Sequence, residues 1–477
     1  MRASVLLLLT LTVAADAQRY CNPLPLPSYP VRTRARDRGL DVRSLADPTV
    51  IRHDGKWYLY ATGGMVWVSE DFIHWQYRPV SLPGPTPSFE APTVAEFQGS
   101  FYLAGNGSGL YRSSDPLGPW ELVGSFQDNL GKRFSPFDPM IFPDKDGRVY
   151  FYYSGGSTKG IYGVELDPKD LTHFAGAPVH LFGYESSHVW ERTGDANEDP
   201  TQSWIEGPWM TEGNGVYYLQ YSAPGTQWKT YSVGVYTSRK PLGPFVYDTH
   251  SPILHDRGGL LNGAAHHSVV EGPGGTLWMV YHILFRNRDH FERRVAMDPV
   301  GFDAEGRMFV HGPTETPQWA PGVKEKPWLD NDSGSLPITI NRETVRASSS
   351  APGRDPVYAI DNNVRTWWEA EAGDAQPSLT VDLTRPFSID SARILFSDNH
   401  LSAESGIVSG PYQYKLETSA DGKEWKLGLD KTANAVDRSI AFDEIPPVRA
   451  RWVRLTVTGA PHRLPVGLLE FTVFGKP

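Results

Sequence analysis

Apolar and polar residues alternate in short stretches along the first two thirds of the chain, and one pattern recurs five times. Each repeat contains an acidic residue or a histidine, a short apolar strand, a turn with glycine, and an aromatic strand. The five copies cover residues 46–62, 90–106, 137–154, 205–222 and 264–282. Turn residues between runs of Val, Tyr, Phe and Trp are typical of β-hairpins. Every copy is therefore predicted to open with a β-hairpin.

Shorter segments follow several of these hairpins and echo one another. The stretches VSEDFIHWQY, RSSDPLGPWELV and TSRKPLGPFVYD begin at residues 68, 112 and 237. They supply outer strands, so that each repeat becomes a four-stranded unit, and a period of about 40 to 50 residues is typical of propeller blades. The pattern predicts an all-β protein with a five-bladed β-propeller over residues 18–325.

The first polar residue of each repeat is predicted to face the central channel, because the inner strands of propeller blades converge there. These positions hold Asp47, Glu90, Asp138, Glu206 and His266. Burying four carboxyl groups at one mouth costs stability, which favours a functional role. Catalysis is the first hypothesis. A metal-centred structural channel and a propeller lectin are the alternatives, because oxygen-rich rings also suit Ca²⁺.

Three short motifs in these repeats resemble the signatures of family 43 glycoside hydrolases and their arabinanase relatives. They are the Asp-Pro at Asp47, the Asp-Pro at Asp138 and the Glu-Gly-Pro at Glu206. The resemblance covers about residues 40–325. It implies an inverting hydrolase with Asp47 as general base, Glu206 as general acid, and Asp138 as the residue that positions the acid and modulates its pKa. Such a reaction requires a protonated Glu206 and an ionised Asp47 near neutral pH.

The same resemblance suggests further contacts around this trio. Glu90 is expected to bind sugar hydroxyls in the innermost subsite. His266 is expected at the channel centre, near Ca²⁺ or water, although Ala265 replaces the second Gly of the family's Gly-x-Gly-His segment. Spacing along the closing strand favours Arg293 over Arg294 as the arginine that reaches the active site. A packed strand histidine and a surface arginine are the structural alternatives. The chemistry is expected to need no cofactor, so that any metal would be structural.

A second domain is predicted after the repeats end near residue 325. Residues 326–338 are charged and rich in turn-forming residues, as in a linker. Polar and apolar residues then alternate with period two, which predicts strands of an antiparallel sandwich. This alternation occurs in residues 358–371, 377–397, 412–425 and 448–459.

These segments resemble discoidin, or coagulation-factor type C, modules and family 32 carbohydrate-binding modules. The resemblance implies that residues 339–477 form a carbohydrate-binding β-sandwich of the jelly-roll type. It also suggests a structural Ca²⁺ near Asp361 and Glu470. Trp367 and Trp368 are expected in the core of this domain rather than in a sugar-stacking site.

The amino terminus and the composition restrict the function further. Residues 1–17 combine Arg2, an apolar run and an Ala-Asp-Ala sequence, the pattern of a cleaved signal peptide, which predicts a secreted or periplasmic protein. The apolar run is shorter than the roughly 20 residues that span a bilayer. Cys21 is the only cysteine, so an intramolecular disulfide is impossible. The net charge of −10 is spread along the chain without a basic stripe, which argues against nucleic acid.

The expected partner is therefore a polysaccharide or oligosaccharide, and no protein partner is implied. The resemblance suggests an exo-acting α-L-arabinofuranosidase first, with β-D-xylosides and β-D-galactofuranosides as alternative substrates. Exo or endo action depends on whether loops such as residues 183–204 enclose the site. The alternative from another class is a non-catalytic propeller lectin, which predicts a missing acid or base, whereas all three acids are present in register.

Overall fold

The computed structural model describes residues 18–29, 43–80, 89–256, 258–402 and 405–477. These residues form a five-bladed β-propeller followed by a β-sandwich, which confirms the predicted fold class. The predicted signal peptide, residues 1–17, lies outside the described residues.

Each blade is an antiparallel sheet whose strands follow one another in the chain. Blade 1 contains Thr49–His53, Lys56–Ala61, Met65–Ser69 and Trp75–Arg78. Blade 2 contains Thr93–Phe97, Ser100–Ala104, Leu110–Ser113 and Glu121–Gly124. Blade 3 contains Met140–Pro143, Val149–Ser154, Ile161–Asp167, Asp170–Phe174 and Val179–Phe182. Blade 4 contains Glu206–Gly213, Val216–Ala223, Ser232–Ser238 and Val246–Tyr247. Blade 5 contains Asn262–Glu271, Leu277–Leu284, Arg293–Phe302 and Met308–Val310.

Apolar side chains fill the space between neighbouring blades around the whole ring. Between blades 5 and 1, Trp278 and Trp67 are fully buried, and Phe72 packs edge-on against Trp278. Large rings suit these positions because each buries a large apolar area. The aromatic strands of the repeat are thus the walls between blades.

The ring closes by contacts between blades 5 and 1 and by a short strand pair outside the blades. The Val50 N–H of blade 1 donates to Ser268 Oγ of blade 5 at 3.0 Å. The N-terminal strand Arg19–Tyr20 pairs antiparallel with Gln318–Trp319, which follows blade 5. The two ends of the propeller are therefore held together, although each blade, as far as its residues are described, consists of strands that are consecutive in the chain.

The second domain contains eight strands. They are Leu336–Pro337, Arg346–Ala347, Trp368–Glu369, Ser378–Phe396, Gln413–Ser419, Lys426–Lys431, Ile440–Gly459 and Gly467–Lys476. The two longest strands pair with each other, and their register shifts twice, next to Asp382 and next to Ile389. Such irregularities bend a strand. One continuous set of hydrogen bonds can thereby wrap around a single apolar core.

The predicted linker is packed against both domains. The Trp319 N–H of the propeller side donates to the Asn331 carbonyl at 2.9 Å, and Leu336 already pairs with Gly475 in the sandwich. The two domains are therefore joined by an ordered segment.

The helices among the described residues are short 3₁₀ turns. They are Ser157–Lys159, Val189–Glu191, Pro273–Gly275, Arg342–Thr344 and Pro356–Ala359. Within this part of the chain, no helix has the length and apolar character needed to cross a membrane.

Candidate active site

Each inner strand either contains a residue with a left-handed backbone or begins two residues after one. The φ angles are 52° at Asp47, 45° at Ala91, 47° at Asp138, 56° at Gly207 and 45° at His266. This conformation is uncommon for residues that carry a Cβ, so its recurrence in all five blades marks equivalent positions. Glu90 and Glu206 therefore lie one residue earlier than the equivalents of Asp47. The repeat predicts that the five polar residues occupy one equivalent position. In the structure they occupy two adjacent positions, with Glu90 and Glu206 at the first and Asp47, Asp138 and His266 at the second.

In four blades, a polar side chain in or just after the second strand accepts a hydrogen bond from the left-handed residue of the next blade. The acceptors are Thr62 Oγ1 for the Ala91 N–H (2.9 Å), Asn106 Oδ1 for the Asp138 N–H (2.6 Å), Ser222 Oγ for the His266 N–H (2.9 Å) and His282 Nδ1 for the Asp47 N–H (3.2 Å). These residues were missed as site residues, although each is the last residue of its sequence repeat. The left-handed turns are thus fixed by bonds between blades.

Asp47 is buried, with 7% of its surface exposed, and is surrounded by donors. The Thr62 hydroxyl donates to its Oδ2. Arg293 Nη1 lies 3.2 Å and His266 Nδ1 lies 3.3 Å from its Oδ1. Burial alone would raise the pKa of Asp47, but the Arg293 guanidinium and the rings of His266 and His282 hold that pKa well below its usual value. The Asp47 carboxylate is therefore ionised.

Asp138 lies between the other two carboxyl groups of the trio. Asn106 Nδ2 donates to its Oδ1 at 3.2 Å, and the Gly207 N–H donates to its Oδ2 at 3.2 Å. The His266 Nδ1 is 3.8 Å from the same Oδ2. Burial raises the pKa of Asp138, whereas these donors favour its charged form.

Glu206 has the opposite environment from Asp47. It is buried, and the Tyr231 hydroxyl donates to its Oε1 at 2.8 Å. Burial, followed by the charge of Asp138, raises the pKa of Glu206 to about 8. Since Asp138 accepts two N–H donors, Glu206 is the member of this pair that keeps the proton at neutral pH.

His282 joins the base to the neighbouring loop. Burial lowers the pKa of its imidazole to about 4, so the ring is neutral. Its Nδ1 lies 3.2 Å from the Asp47 backbone nitrogen and 3.2 Å from Asp47 Oδ1, and its Nε2 lies 3.0 Å from Thr226 Oγ1. Arg293 Nη1 is 3.3 Å from the same Thr226 oxygen. One hydroxyl therefore orients both the imidazole and the guanidinium that contact Asp47.

The structure separates the two consecutive arginines. Arg293 points to Asp47, whereas Arg294 pairs with Glu292 at 2.8 Å and lies over the ring of Phe285 at 4.2 Å. Glu90 is half-buried next to the left-handed Ala91, one position before the equivalent of Asp47.

The metal-ligand expectations concern His266, Asp361 and Glu470. Among the described residues, no group of three or more His, Cys, Asp or Glu side chains is arranged to hold a metal ion. His266 Nδ1 faces the carboxylates of the trio. In the sandwich, the Asn362 N–H donates to Glu470 Oε2 at 2.8 Å, and burial raises the pKa of Glu470 to about 8.

A calcium ion between Asp361 and Glu470 would favour the ionised form of Glu470, but it would need backbone carbonyl ligands in addition. Calcium at this site therefore stays a proposal. The two neighbouring tryptophans differ. Trp368 is fully buried, whereas Trp367 is half-buried and stacks with the Arg354 guanidinium, 3.3 Å from the ring centroid.

The trio thus combines an ionised and a protonated carboxyl group in one buried site. An ionised carboxylate can activate water, and a protonated one can donate to a leaving oxygen, which are the two tasks of glycoside hydrolysis with inversion.

Comparisons with known proteins agree with this chemistry. The model of "Glycosyl hydrolases family 43" matches residues 42–308, more than half of the chain, and the model of "F5/8 type C domain" matches residues 344–470. A β-D-galactofuranosidase of Aspergillus niger is 28% identical over 219 residues, covering 44% of this chain and 57% of that enzyme. A β-xylosidase of Xylanibacter ruminicola is 27% identical over 248 residues, covering 45% of this chain and 71% of that enzyme.

A solved structure shows the same fold. The crystal structure of a thermostable family-43 glycoside hydrolase superposes with a TM-score of 0.52 at 29% identity, covering 63% of this chain and 99% of that chain. These matches favour the glycosidase hypothesis over the lectin hypothesis, because members of this family are inverting glycosidases. The chain belongs to glycosyl hydrolase family 43 and carries an F5/8 type C domain after its propeller.

Proposed function

We propose that this protein is an exo-acting α-L-arabinofuranosidase that removes terminal or side-chain sugars from a polysaccharide with inversion of configuration. The observation that carries the mechanism is the contrast between Asp47, whose pKa is well below its usual value, and Glu206, whose pKa is about 8. The two groups hold the charge states that a base and an acid need at neutral pH.

In the proposed reaction, Glu206 donates its proton to the glycosidic oxygen as the bond to the anomeric carbon breaks. Asp47 accepts a proton from a water molecule whose oxygen bonds to the same carbon from the opposite face. Inverting enzymes hold the two carboxyl groups about 6.5 to 9.5 Å apart to admit this water. The ionised Asp138 raises the proton affinity of Glu206, and Arg293 keeps Asp47 ionised.

Exo action is supported by two loops that are joined beside the site. Residues 183–204 precede Glu206, and residues 285–292 precede Arg293. Arg286 Nη1 and Asp195 Oδ2 form an ion pair at 2.9 Å between these loops. Loops joined in this way favour a pocket for one chain end over an open groove. Trp204 and Phe291, 39% and 42% exposed, are aromatic surfaces in these loops on which sugar rings can stack.

The preference for arabinofuranosides rests on the family resemblance, and two other substrates compete with it. β-D-Xylosides and β-D-galactofuranosides need the same acid and base. We also propose that the protein is secreted and that its C-terminal module binds carbohydrate, which would raise the local concentration of substrate.

The test is hydrolysis of 4-nitrophenyl α-L-arabinofuranoside, β-D-xyloside and β-D-galactofuranoside by the full chain, together with a proton NMR record of the first anomer released. We expect the arabinofuranoside to be cleaved fastest, with the inverted anomer appearing first. Asp47→Asn should lower kcat on these glycosides by on the order of 10²- to 10⁴-fold, because it removes the group that accepts the proton of water. Glu206→Gln should cause a loss of that size on natural oligosaccharides, whose leaving group needs a proton.

A substrate with a poor leaving group separates the two roles. Glu206→Gln should lower kcat for natural oligosaccharides by a larger factor than kcat for the activated aryl glycoside, since 4-nitrophenolate leaves without a proton. Equal losses on both would argue against Glu206 as the acid. Faster cleavage of the xyloside or galactofuranoside would replace the proposed substrate but keep the mechanism.

A further inference from the structure

Two segments of the propeller brace the residue assigned as general base. The Leu45 N–H donates to the Arg293 carbonyl at 2.9 Å, and the Arg293 N–H donates to Ser44 Oγ at 3.1 Å. The Arg293 side chain then reaches Asp47 Oδ1 at 3.2 Å. Two hydrogen bonds and one ion pair therefore join the segment before Asp47 to the start of the third strand of blade 5.

The C-terminal module contacts both segments. Arg43, 4% exposed and four residues before Asp47, pairs with Asp437 at 2.8 Å and with Asp398 Oδ2 at 3.4 Å. Arg288, five residues before Arg293, donates to the backbone carbonyl of Asp398 at 3.2 Å and to that of Leu401 at 3.4 Å. Asp398 of the module thus contacts both propeller segments, the one before Asp47 and the one before Arg293.

An apolar cluster lies at the same boundary between the propeller and the module. Phe285, the first residue of the loop that leads to Arg293, packs with Leu260 in one buried cluster with Leu395, Ile440 and Leu469 of the module. Trp367 packs against this cluster, so its indole belongs to the boundary between the domains. Buried apolar contacts of this kind resist relative movement of the domains.

We propose that the C-terminal module positions the general base, through contacts of Asp398 and Leu401 with Arg43 and Arg288, and so sets the turnover of every substrate. This role is distinct from binding polysaccharide, and it rests on the proposed function of Asp47. Arg43 and Arg288 are positioning residues, since they act through Asp47 and Arg293.

The proposal predicts a change in the pH profile as well as in rate. Asp47 is faced by Arg293, His266 and His282 of blade 5, by Asp138 of blade 3 and by Glu206 of blade 4. Arg293 is the largest of the influences that lower the pKa of Asp47. If the brace loosens, Arg293 withdraws and the pKa of Asp47 rises. The acid limb of kcat/KM then moves to higher pH.

The experiment compares full-length Asp398→Asn and Arg288→Ala with the wild type on the aryl glycoside that the wild type cleaves best. This substrate is too small to engage a separate binding module. We expect kcat to fall on the order of tenfold in both variants, since small displacements of a catalytic group are costly, while KM changes much less. The acid limb should shift upward. Arg288→Lys keeps a donor for the two carbonyls and should recover part of the loss.

Arg454→Ala is the matched control, because it removes an ion pair with Glu417 inside the module, and it should keep the wild-type kcat and pH profile. If Asp398→Asn does not fold, Arg288→Ala carries the test, since its side chain is only half-buried. Unchanged kcat and pH profile in a folded Arg288→Ala, with an active wild type, would overturn this inference alone. A wild type that cleaves none of the glycosides would overturn the proposed function and this inference with it.

Discussion

At the scale of single residues, three carboxyl groups with similar intrinsic acidity have different proton affinities because their neighbours differ. Asp47 faces a guanidinium, whereas Glu206 faces a tyrosine hydroxyl and the charge of Asp138. The sequence predicts which carboxyl groups meet, since their motifs recur in register. It does not predict Tyr231 or His282, whose positions depend on how neighbouring blades pack.

The pH profile of the wild type is the first residue-scale prediction. The proposed mechanism requires protonated Glu206, so kcat/KM should fall as pH rises through about 8. The Tyr231 hydroxyl bond lowers the pKa of Glu206, and its removal in Tyr231→Phe should move this alkaline limb to higher pH. Hydrolysis of an aryl glycoside from pH 3 to pH 10 measures both.

The acid limb is the internal control for this measurement. The Tyr231 hydroxyl donates to Glu206, whereas its ring stacks on His282, with centroids 5.7 Å apart. Phenylalanine keeps this ring, so Tyr231→Phe should leave the acid limb in place. An alkaline limb near the ordinary pKa of glutamic acid, about 4.3, would contradict the protonated state assigned to Glu206.

At the scale of strands, the site is built on the left-handed residue that lies within or just before each inner strand. In blade 4 this residue is Gly207, which places Glu206 one position before the equivalent of Asp47. The Glu-Gly-Pro motif therefore differs from Asp-Pro for a structural reason. A Cβ on Gly207 would come 3.2 Å from His266 Cγ, so the glycine leaves room for the imidazole that faces Asp47.

Gly207→Ala is expected to damage catalysis beyond its effect on folding. The left-handed backbone costs alanine roughly 1 kcal/mol, and the added methyl crowds the His266 ring that faces Asp47, so this ring must shift. We expect kcat to fall on the order of tenfold, as misplaced catalytic groups do. Thermal unfolding and aryl-glycoside kinetics measure the two effects separately.

Gly99→Ala is the matched control for this substitution. Gly99 has a φ of 71° in the hairpin turn of blade 2, and a Cβ there would meet nothing within 4 Å. It should show the same backbone cost and a wild-type kcat. Equal kcat losses in the two variants would show that the His266 contact is irrelevant.

At the scale of the whole molecule, the propeller and the sandwich share buried polar contacts. Arg393 of the sandwich is 2% exposed, and its Nη1 donates to the Asn22 carbonyl at 2.7 Å and to the Glu315 carbonyl at 3.4 Å. These carbonyls belong to the N-terminal segment and to the stretch that follows blade 5. One guanidinium therefore ties the module to both ends of the propeller.

Arg393→Met is expected to lower the free energy of unfolding by about 1–3 kcal/mol, because it leaves buried carbonyls without a charged donor. Calorimetry should show the domains unfolding closer to independently than in the wild type. Arg52→Met, which removes an ion pair with Glu271 between two exposed side chains of the propeller, should change stability by less than about 0.5 kcal/mol. Similar losses in both variants would contradict a special role of Arg393.

The sequence by itself determined the fold class, the five blades and the identity of the three carboxyl residues. It could do so because hairpin turns and alternating strands are local, and because a repeat brings equivalent residues to one channel. Tertiary structure alone decided that Glu206 and Glu90 lie one residue before the equivalents of Asp47. It also decided which side chains form hydrogen bonds between neighbouring blades, namely Thr62, Asn106, Ser222 and His282. It also decided that the second domain braces Asp47. These features are contacts between segments far apart in the chain, and no local pattern encodes them.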